Sequence, residues 1–348
     1  MHQHIMSLDR YAAQHASTPQ GRGDGRPTAD QVLADQNLSA WKDKVILITG
    51  GTAGLGAESA RVLHKTGAKI YIMGRDVAKG RKVADQIEAA HDPAFPPIEV
   101  IQMDQSSLDS VRSAAAEFLE KSRGRFNVLM ANAGIVASPV KETRDGFEAV
   151  FAINYLATFL LVQLLAPALE ASSSEAFSSR LIVVSSAGHR ASNIDGEGYG
   201  YTGQGYDPSK AYAKSKTATI LMANEFERRY AGRGVHALSL NPGIIMDTEI
   251  ARGLPGTSES RRAGYYKMEP LLAQWEKNVG QGAATQVWAS VARELEGKGG
   301  LYLDDVQVAQ EAKFEGQMAL PGWKPWIWNE ERAAKLWEDS LKMVGLEN

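Results

Sequence analysis

From Lys44 onward, short runs of aliphatic and β-branched residues alternate with longer stretches whose apolar positions recur at helical spacing. The runs are KVILIT (44–49), KIYIMG (69–74), IEVIQM (98–103), NVLMA (127–131), RLIVVS (180–185), VHALSL (235–240) and GLYL (300–303). Nearly all are continuously apolar, which is how strands covered on both faces read. Between them lie segments such as ESARVLHKTG, which stops at a glycine, and LDSVRSAAAEFLEKSRG. This grammar predicts an α/β fold, a doubly wound parallel sheet of about seven strands with helices on both faces. Ligands of such sheets lie at the carboxyl ends of the strands.

The pattern begins late. Residues 1–40 include TPQGRGDGRPT (18–28), rich in Gly, Pro and charge, and are expected to form an extension lying on the surface or partly disordered. Residues 41–348 are expected to form a single domain, with a substrate lid at about 246–275 and a C-terminal cover at about 305–348. The longest apolar run, Tyr155 to Leu169, is shorter than the roughly 20 residues that span a bilayer, and reads as a core helix. No basic-then-apolar leader pattern opens the chain, and a cytoplasmic location is expected.

Composition narrows the chemistry. With 348 residues, 44% hydrophobic, the chain has enough apolar material for one large core. A net charge of −3 without a basic run argues against nucleic acid or an anionic membrane and leaves a small molecule as the expected partner. The absence of cysteine excludes disulfides, thiolate metal sites and thiol catalysis. His2 and His4 have no ligand companion at suitable spacing, so no metal is expected.

The first expected strand runs into TGGTAGLG, placing Gly50, Gly54 and Gly56 at the start of the first expected helix. Glycines there let backbone approach a pyrophosphate, and the helix N-terminus offers free N–H groups and positive dipole. A glycine-rich turn is by itself weak evidence; its place in a βαβ unit strengthens it. At the end of the second expected strand, Gly74 stands where a ribose-binding carboxylate would sit and Arg75 follows. A guanidinium suits a 2′-phosphate, so NADP(H) is favoured over NAD(H), although Asp76 next door could partly neutralise the arginine.

In YDPSKAYAKSK (206–216) the pattern Tyr-x-x-x-Lys occurs twice, as Tyr206/Lys210 and Tyr212/Lys216. Two residues four apart share a face only inside a helix. Asp207-Pro208 is a helix start, with Asp as N-cap and Pro at the first helical position. Tyr206 then falls outside the helix, and Tyr212 with Lys216 falls inside. Reducing a carbonyl puts negative charge on its oxygen, which calls for a proton donor and a hydrogen-bond donor. An ordinary phenol titrates near about 10, and an adjacent ammonium would lower it.

TGGTAGLG (49–56), Asp104, ANAG (131–134), Asn154, VVSSAGH (183–189), the Tyr-x-x-x-Lys and NPG (241–243) follow the order found in short-chain dehydrogenases/reductases. Over residues 41–305 the chain resembles that family, most of all the branch of retinol dehydrogenases and fungal NADP-dependent reductases. The resemblance implies a Rossmann-type fold and a catalytic set of Asn154, Ser186, Tyr212 and Lys216. Tyr212 is the acid/base, Ser186 orients the substrate oxygen, Lys216 also binds the nicotinamide ribose, and Asn154 holds a proton-relaying water. Ser185 could serve as well as Ser186 on spacing alone. The implied cofactor contacts are Gly50, Thr52, Gly54, Leu55, Gly56, Arg75, Asp104, Asn132, Ala133, Gly134, Tyr212, Lys216, Pro242, Gly243 and Thr248. Two positions depart from the family pattern: Ala131 replaces the first Asn of Asn-Asn-Ala-Gly, and Met246 stands where many members have Thr, which transfers that contact to Thr248.

The expected activity is NADP(H)-dependent interconversion of a medium-to-large, partly apolar ketone or aldehyde with its alcohol. The Gly- and Tyr-rich segment 188–208 and the lid segment are expected to choose the substrate. An NADP-binding sensor or scaffold without turnover, or another chemistry of the same fold such as double-bond reduction, dehydration or epimerisation, are the alternatives. A homodimer is a further expectation. Two bland expectations complete the reading: His189 as a solvated side chain or local hydrogen-bond partner, and the tryptophans of GWKPWIW (322–328) as packing.

Overall fold

The computed structural model describes residues 10–38, 41–138, 140–194, 199, 205–313 and 320–346. Its strands are β1 (Val45–Thr49), β2 (Lys69–Gly74), β3 (Glu99–Gln102), β4 (Val128–Ala131), β5 (Ser179–Val184), β6 (Val235–Asn241), β7 (Leu301–Asp304) and β8 (Gln307–Val308). They form one sheet in the order β3-β2-β1-β4-β5-β6-β7-β8, parallel throughout except for β8, which runs antiparallel to β7. Seven strands coincide with the apolar runs to within a residue or two at each end. The eighth was not expected: two residues are too short for any periodicity to register.

Alternation along the strands feeds two cores. Val45 and Leu47 of β1 face the helices Leu108–Ser122, Ala157–Ser172, Pro208–Tyr230 and Glu330–Met343. Ile46 and Ile48 face Ala29–Gln36, Gly54–His64, Val77–Ala89 and Val279–Val291. The apolar run around Tyr155 belongs to a helical stretch longer than expected, 149–172, which by length and composition could cross a membrane; 83% of its most apolar window is buried inside the domain. Its apolar surface serves the core. Trp337 of the C-terminal helix, 3% exposed, packs edge-on to Phe159 at 5.0 Å and lies beneath Arg229. The Tyr155 hydroxyl meets Ser340 Oγ at 2.7 Å.

The N-terminal segment differs from the extension expected over residues 1–40. Over 10–38 it is part of the domain: Ala29 and Val32 are fully buried and belong to the second core. Arg26, 4% exposed, donates to the carbonyls of Gly21, Trp275 and Glu276 and to Asp24 Oδ1. Arginine's forked donors let one side chain satisfy carbonyls on two chain segments at once. Composition marked this stretch as loop because its partners lie some 250 residues away.

At the opposite end of the sheet from the strand termini that carry the motifs, buried His64 meets His91, Nδ1 to Nδ1, at 2.8 Å, while its Nε2 faces the Pro96 carbonyl at 2.9 Å. The carbonyl accepts, so the His64 proton sits on Nε2 and His91 donates at Nδ1. Burial, His64 and the cations Lys65 and Arg61 push His91 below its ordinary value. The unfolded chain therefore binds this proton first as pH falls through roughly 6.5, and the contribution of neutral His91 is present above that pH and fades below it.

Two outcomes follow for stability. Trp337→Ala should cost about 3–5 kcal/mol in urea unfolding, from lost transfer energy and the cavity it leaves. His91→Asn should lose less stability than the parent chain between pH 7 and pH 5, measured as unfolding free energy at each pH.

Candidate active site

The sequence motifs gather at the carboxyl ends of β1, β2, β4, β5 and β6. Gly50 turns out of β1 at φ +67°, and its N–H donates to Met73 on β2. A Cβ at Gly56 would lie 2.4 Å from the Gly50 carbonyl, so only glycine lets the helix pack this close to the turn. Ala53 precedes helix Gly54–His64 and offers no side-chain cap, leaving its first N–H groups unclaimed by a side chain. Half-buried Thr52 lies over Gly74, where a Cβ would stand 2.6 Å from the Thr52 methyl. A side chain at 74 would require Thr52 to shift, and the sequence places no carboxylate there. Arg75 is exposed and forms no ion pair among the described residues. The Asp76 carboxylate, which could have neutralised it, caps the next helix by accepting from Lys79 N at 2.9 Å.

Other expected cofactor residues are tied into the frame. Thr49 Oγ1 accepts from the backbone N–H groups of Asn132 and Ala133, both at 3.0 Å, and Asn132 Nδ2 donates to the Thr49 carbonyl. The Asn132 amide thus joins β1 to β4. The Leu55 carbonyl accepts from Gln286, and Asp104 Oδ1 accepts from Ser106 N and Oγ. Thr248 brings its side chain to 3.4 Å from the Cβ position of Gly54, against the glycine-rich turn. Pro242 and Gly243 form a turn at φ +95° over the stem of Lys277. Asp247 pairs with Arg22 and Arg262, joining the N-terminal segment to the lid.

Asn154 and Lys216, each 2% exposed, converge on Gly134. A Cβ there would sit 3.2 Å from Asn154 Oδ1 and 3.4 Å from Lys216 Nζ. Asn154 lies in a π-helical turn, Ala152–Leu156, and clamps Ile135 through both backbone groups. Such turns recur at functional sites, and nothing in the sequence announces this one. Lys216 Nζ donates to the Val184 carbonyl at 2.9 Å and stands 5.8 Å from the Tyr212 ring centre.

Helix Pro208–Tyr230 starts with Asp207 accepting from Ser209 N and Lys210 N. Tyr206 lies outside it and donates to Glu148 Oε1 at 2.9 Å, while that buried carboxylate also caps Val150 and Phe151. Tyr212 lies inside the helix against the turn after β5, where its Cε1 and the Ser186 Oγ stand 2.9 and 3.3 Å from the Cβ position of Gly188. Ser185 turns inward and donates to the Lys216 carbonyl at 2.8 Å, which leaves Ser186 as the hydroxyl on the Tyr212 side of the turn.

Two residues outside the expected set shape this corner. Gly188 leaves room for the Tyr212 ring, since a Cβ would come within 2.9 Å of its Cε1. His189 is fully buried, not solvated: its N–H and Nδ1 both face the Ser186 carbonyl. Burial pushes its titration down to about 4, so the ring is neutral. Trp326 and Thr217 both donate to the His189 carbonyl and fix the turn from the C-terminal cover and the helix.

Electrostatically the site departs from expectation. Burial pushes Tyr212 above the ordinary phenol value; the Ser186 hydroxyl pulls the other way and Tyr265 on the lid adds to the rise. Burial also pushes Lys216 down to about 8. Among the chain's own groups, desolvation outweighs the lowering expected from the ammonium. The segment expected to act as a lid holds helices Ser258–Met268 and Leu271–Trp275, and Val136 N donates to Ile250 O where that segment meets the loop after β4. Part of the 188–208 segment, residues 195–198 and 200–204, lies outside the described residues.

Residues 44–258 match the family model described as short chain dehydrogenase. The chain is 79% identical over 345 residues to the oxidoreductase calI of Penicillium decumbens, covering 99% of each. It is 32% identical to retinol dehydrogenase 12 of Mus musculus, covering 87% of each. A solved structure from Mycobacterium paratuberculosis superposes with a TM-score of 0.65 at 27% identity, over 90% of this chain and 97% of that one. Members of the matched family work with NAD or NADP, and the chain belongs to the short-chain dehydrogenase/reductase family of oxidoreductases.

Proposed function

We propose that this chain is an NADP(H)-dependent reductase/dehydrogenase acting on a medium-to-large, partly apolar ketone or aldehyde and its alcohol. The observation that carries the reading is the approach of Ser186 and Tyr212 to one point at Gly188, beside the Asn154–Lys216 pair, at the strand ends where the glycine-rich turn also lies. When bound, the reduced nicotinamide supplies the hydride. Tyr212 donates its phenolic proton to the carbonyl oxygen as negative charge develops there, and Ser186 donates a hydrogen bond to the same oxygen. A phenol pushed upward by burial keeps its proton at neutral pH, which suits reduction. Lys216, titrating near about 8, can return a proton to the phenolate close to neutral pH.

Preference for the 2′-phosphate rests on Arg75, exposed and without an ion-pair partner among the described residues, beside Gly74, which offers no carboxylate to a ribose hydroxyl. The half-buried lid tyrosines Tyr265 and Tyr266, with Leu254 and Ile250, support a partly apolar substrate.

The test is deuterium transfer from NADPH labelled at C4 to a panel of aromatic and long-chain aldehydes and ketones, read by mass spectrometry. Tyr212→Phe should lower kcat by about 10²- to 10⁴-fold, whereas Tyr206→Phe should keep it within about threefold because its hydroxyl only anchors a loop to Glu148. The reading fails if NADPH binds and no carbonyl in the panel or in a metabolite extract takes the label. Arg75→Gln should raise KM for NADPH about 10- to 100-fold and leave KM for NADH nearly unchanged.

A further inference from the structure

Behind the serine turn, the side chain of Asn241 at the end of β6 joins three chain segments. Its Oδ1 accepts from Ala187 N at 3.0 Å, next to Ser186, and from Gly243 N at 3.2 Å, in the Pro242–Gly243 turn. Its Nδ2 faces both carboxylate oxygens of Asp304, at 3.2 and 3.1 Å, across the pair Asn241↔Asp304 of β6 and β7. An amide has two orientations of similar shape, and only one turns oxygen toward two N–H donors. We propose that Asp304 is a positioning residue: its carboxylate holds the Asn241 amide in that orientation, and through it fixes Ser186 and the Pro242–Gly243 turn relative to each other.

The surroundings fit this assignment. Asn241 and Asp304 are 5% and 3% exposed, so water does not compete for the amide. Gly322 N donates to Asp304 Oδ2, and the adjoining turn, Asp305-Val306, is held at left-handed φ by the Lys277–Asp305 ion pair at 2.8 Å and by the bond from Val306 N to Thr285 Oγ1. A β-branched residue rarely adopts that conformation unless its surroundings enforce it. Burial pushes Asp304 up to about 6; Lys277 and Asn241 oppose the rise and Asp305 adds to it, while Arg190 and Tyr302 also face it. The folded chain thus holds this proton to a higher pH than the unfolded chain does, and stability falls as pH rises from about 4 through about 6.

Asp304→Asn, close in shape and uncharged, separates positioning from stability. Hydrogen exchange by mass spectrometry should show amides of the peptides containing Ala187 and Gly243 exchanging about tenfold faster or more, with Tm at pH 7.5 not lowered by more than about 3 °C. For a carbonyl reduced in the label-transfer panel, kcat should fall about tenfold or more while KM for NADPH stays within threefold, and the parent's loss of rate below pH about 6 should disappear. Asn241→Ser should reproduce the exchange pattern from the other side of the clamp. Unchanged exchange at both peptides overturns the proposal, as does faster exchange with unaltered kcat, or failure of both variants to fold. The rate effect rests on the function proposed above and the exchange effect does not: if no carbonyl is reduced, that reading fails and exchange alone decides the clamp.

Discussion

A lysine ammonium kept out of water is the constraint around which the site is organised. Lys216 is 2% exposed with one backbone carbonyl as its hydrogen-bond partner, and desolvation alone would favour its neutral form. To hold it there the chain supplies a 23-residue helix begun by Asp207 and Pro208, the Val184 carbonyl at the end of β5, and a Gly134 without a side chain. Asn154 reaches the same gap through a π-turn that anchors the loop after β4. Four chain segments far apart in sequence must be in register before the ammonium has its place. The parallel sheet provides this, since every strand involved ends on the same side.

The phenol and the ammonium also shift in opposite directions, and burial is the cause of both. A raised phenol and a lowered ammonium stand closer in proton affinity than the free side chains do, which eases transfer between them. Burial, more than charge pairing, thus sets the balance between the two groups. That places weight on whatever covers the strand ends: the lid helices, the tryptophan-rich segment whose Trp326 bonds the His189 carbonyl, and the N-terminal segment, whose Arg22 and Arg26 bind lid-side groups.

Legibility in the sequence followed the range of the interaction. Seven strands were readable because a doubly covered strand is apolar at nearly every position, and the Tyr212 helix because Asp-Pro is a local start signal. Gly74 and Arg75 were readable as a pair, but the Thr52 methyl that lies over position 74 comes from a neighbouring turn. The roles of Gly188 and His189 were not readable. The glycine matters for a ring 24 residues away, and the histidine for a carbonyl that only the 3-10 turn brings back upon it. The N-terminal segment was misjudged for the same reason, since composition reports what a segment is made of and not which carbonyls it will meet.

The back of the site is polar for a related reason. Parallel strands end in unpaired backbone groups, and the sharp turns that follow β5 and β6 leave N–H donors buried without a ladder partner. Water could satisfy them at an exposed edge; here a side chain does. Asn241 supplies one oxygen for two of these donors, and the buried carboxylate beyond it gives the amide nitrogen somewhere to point. The apolar core thus needs a short polar chain running through it exactly where chemistry requires tight turns. Its charged end settles at the β7–β8 hairpin, where Lys277 and a left-handed turn are already in place. The two-residue eighth strand, nearly invisible in the sequence, closes that hairpin, and so connects the edge of the sheet to the turns that hold Ser186 and Gly243.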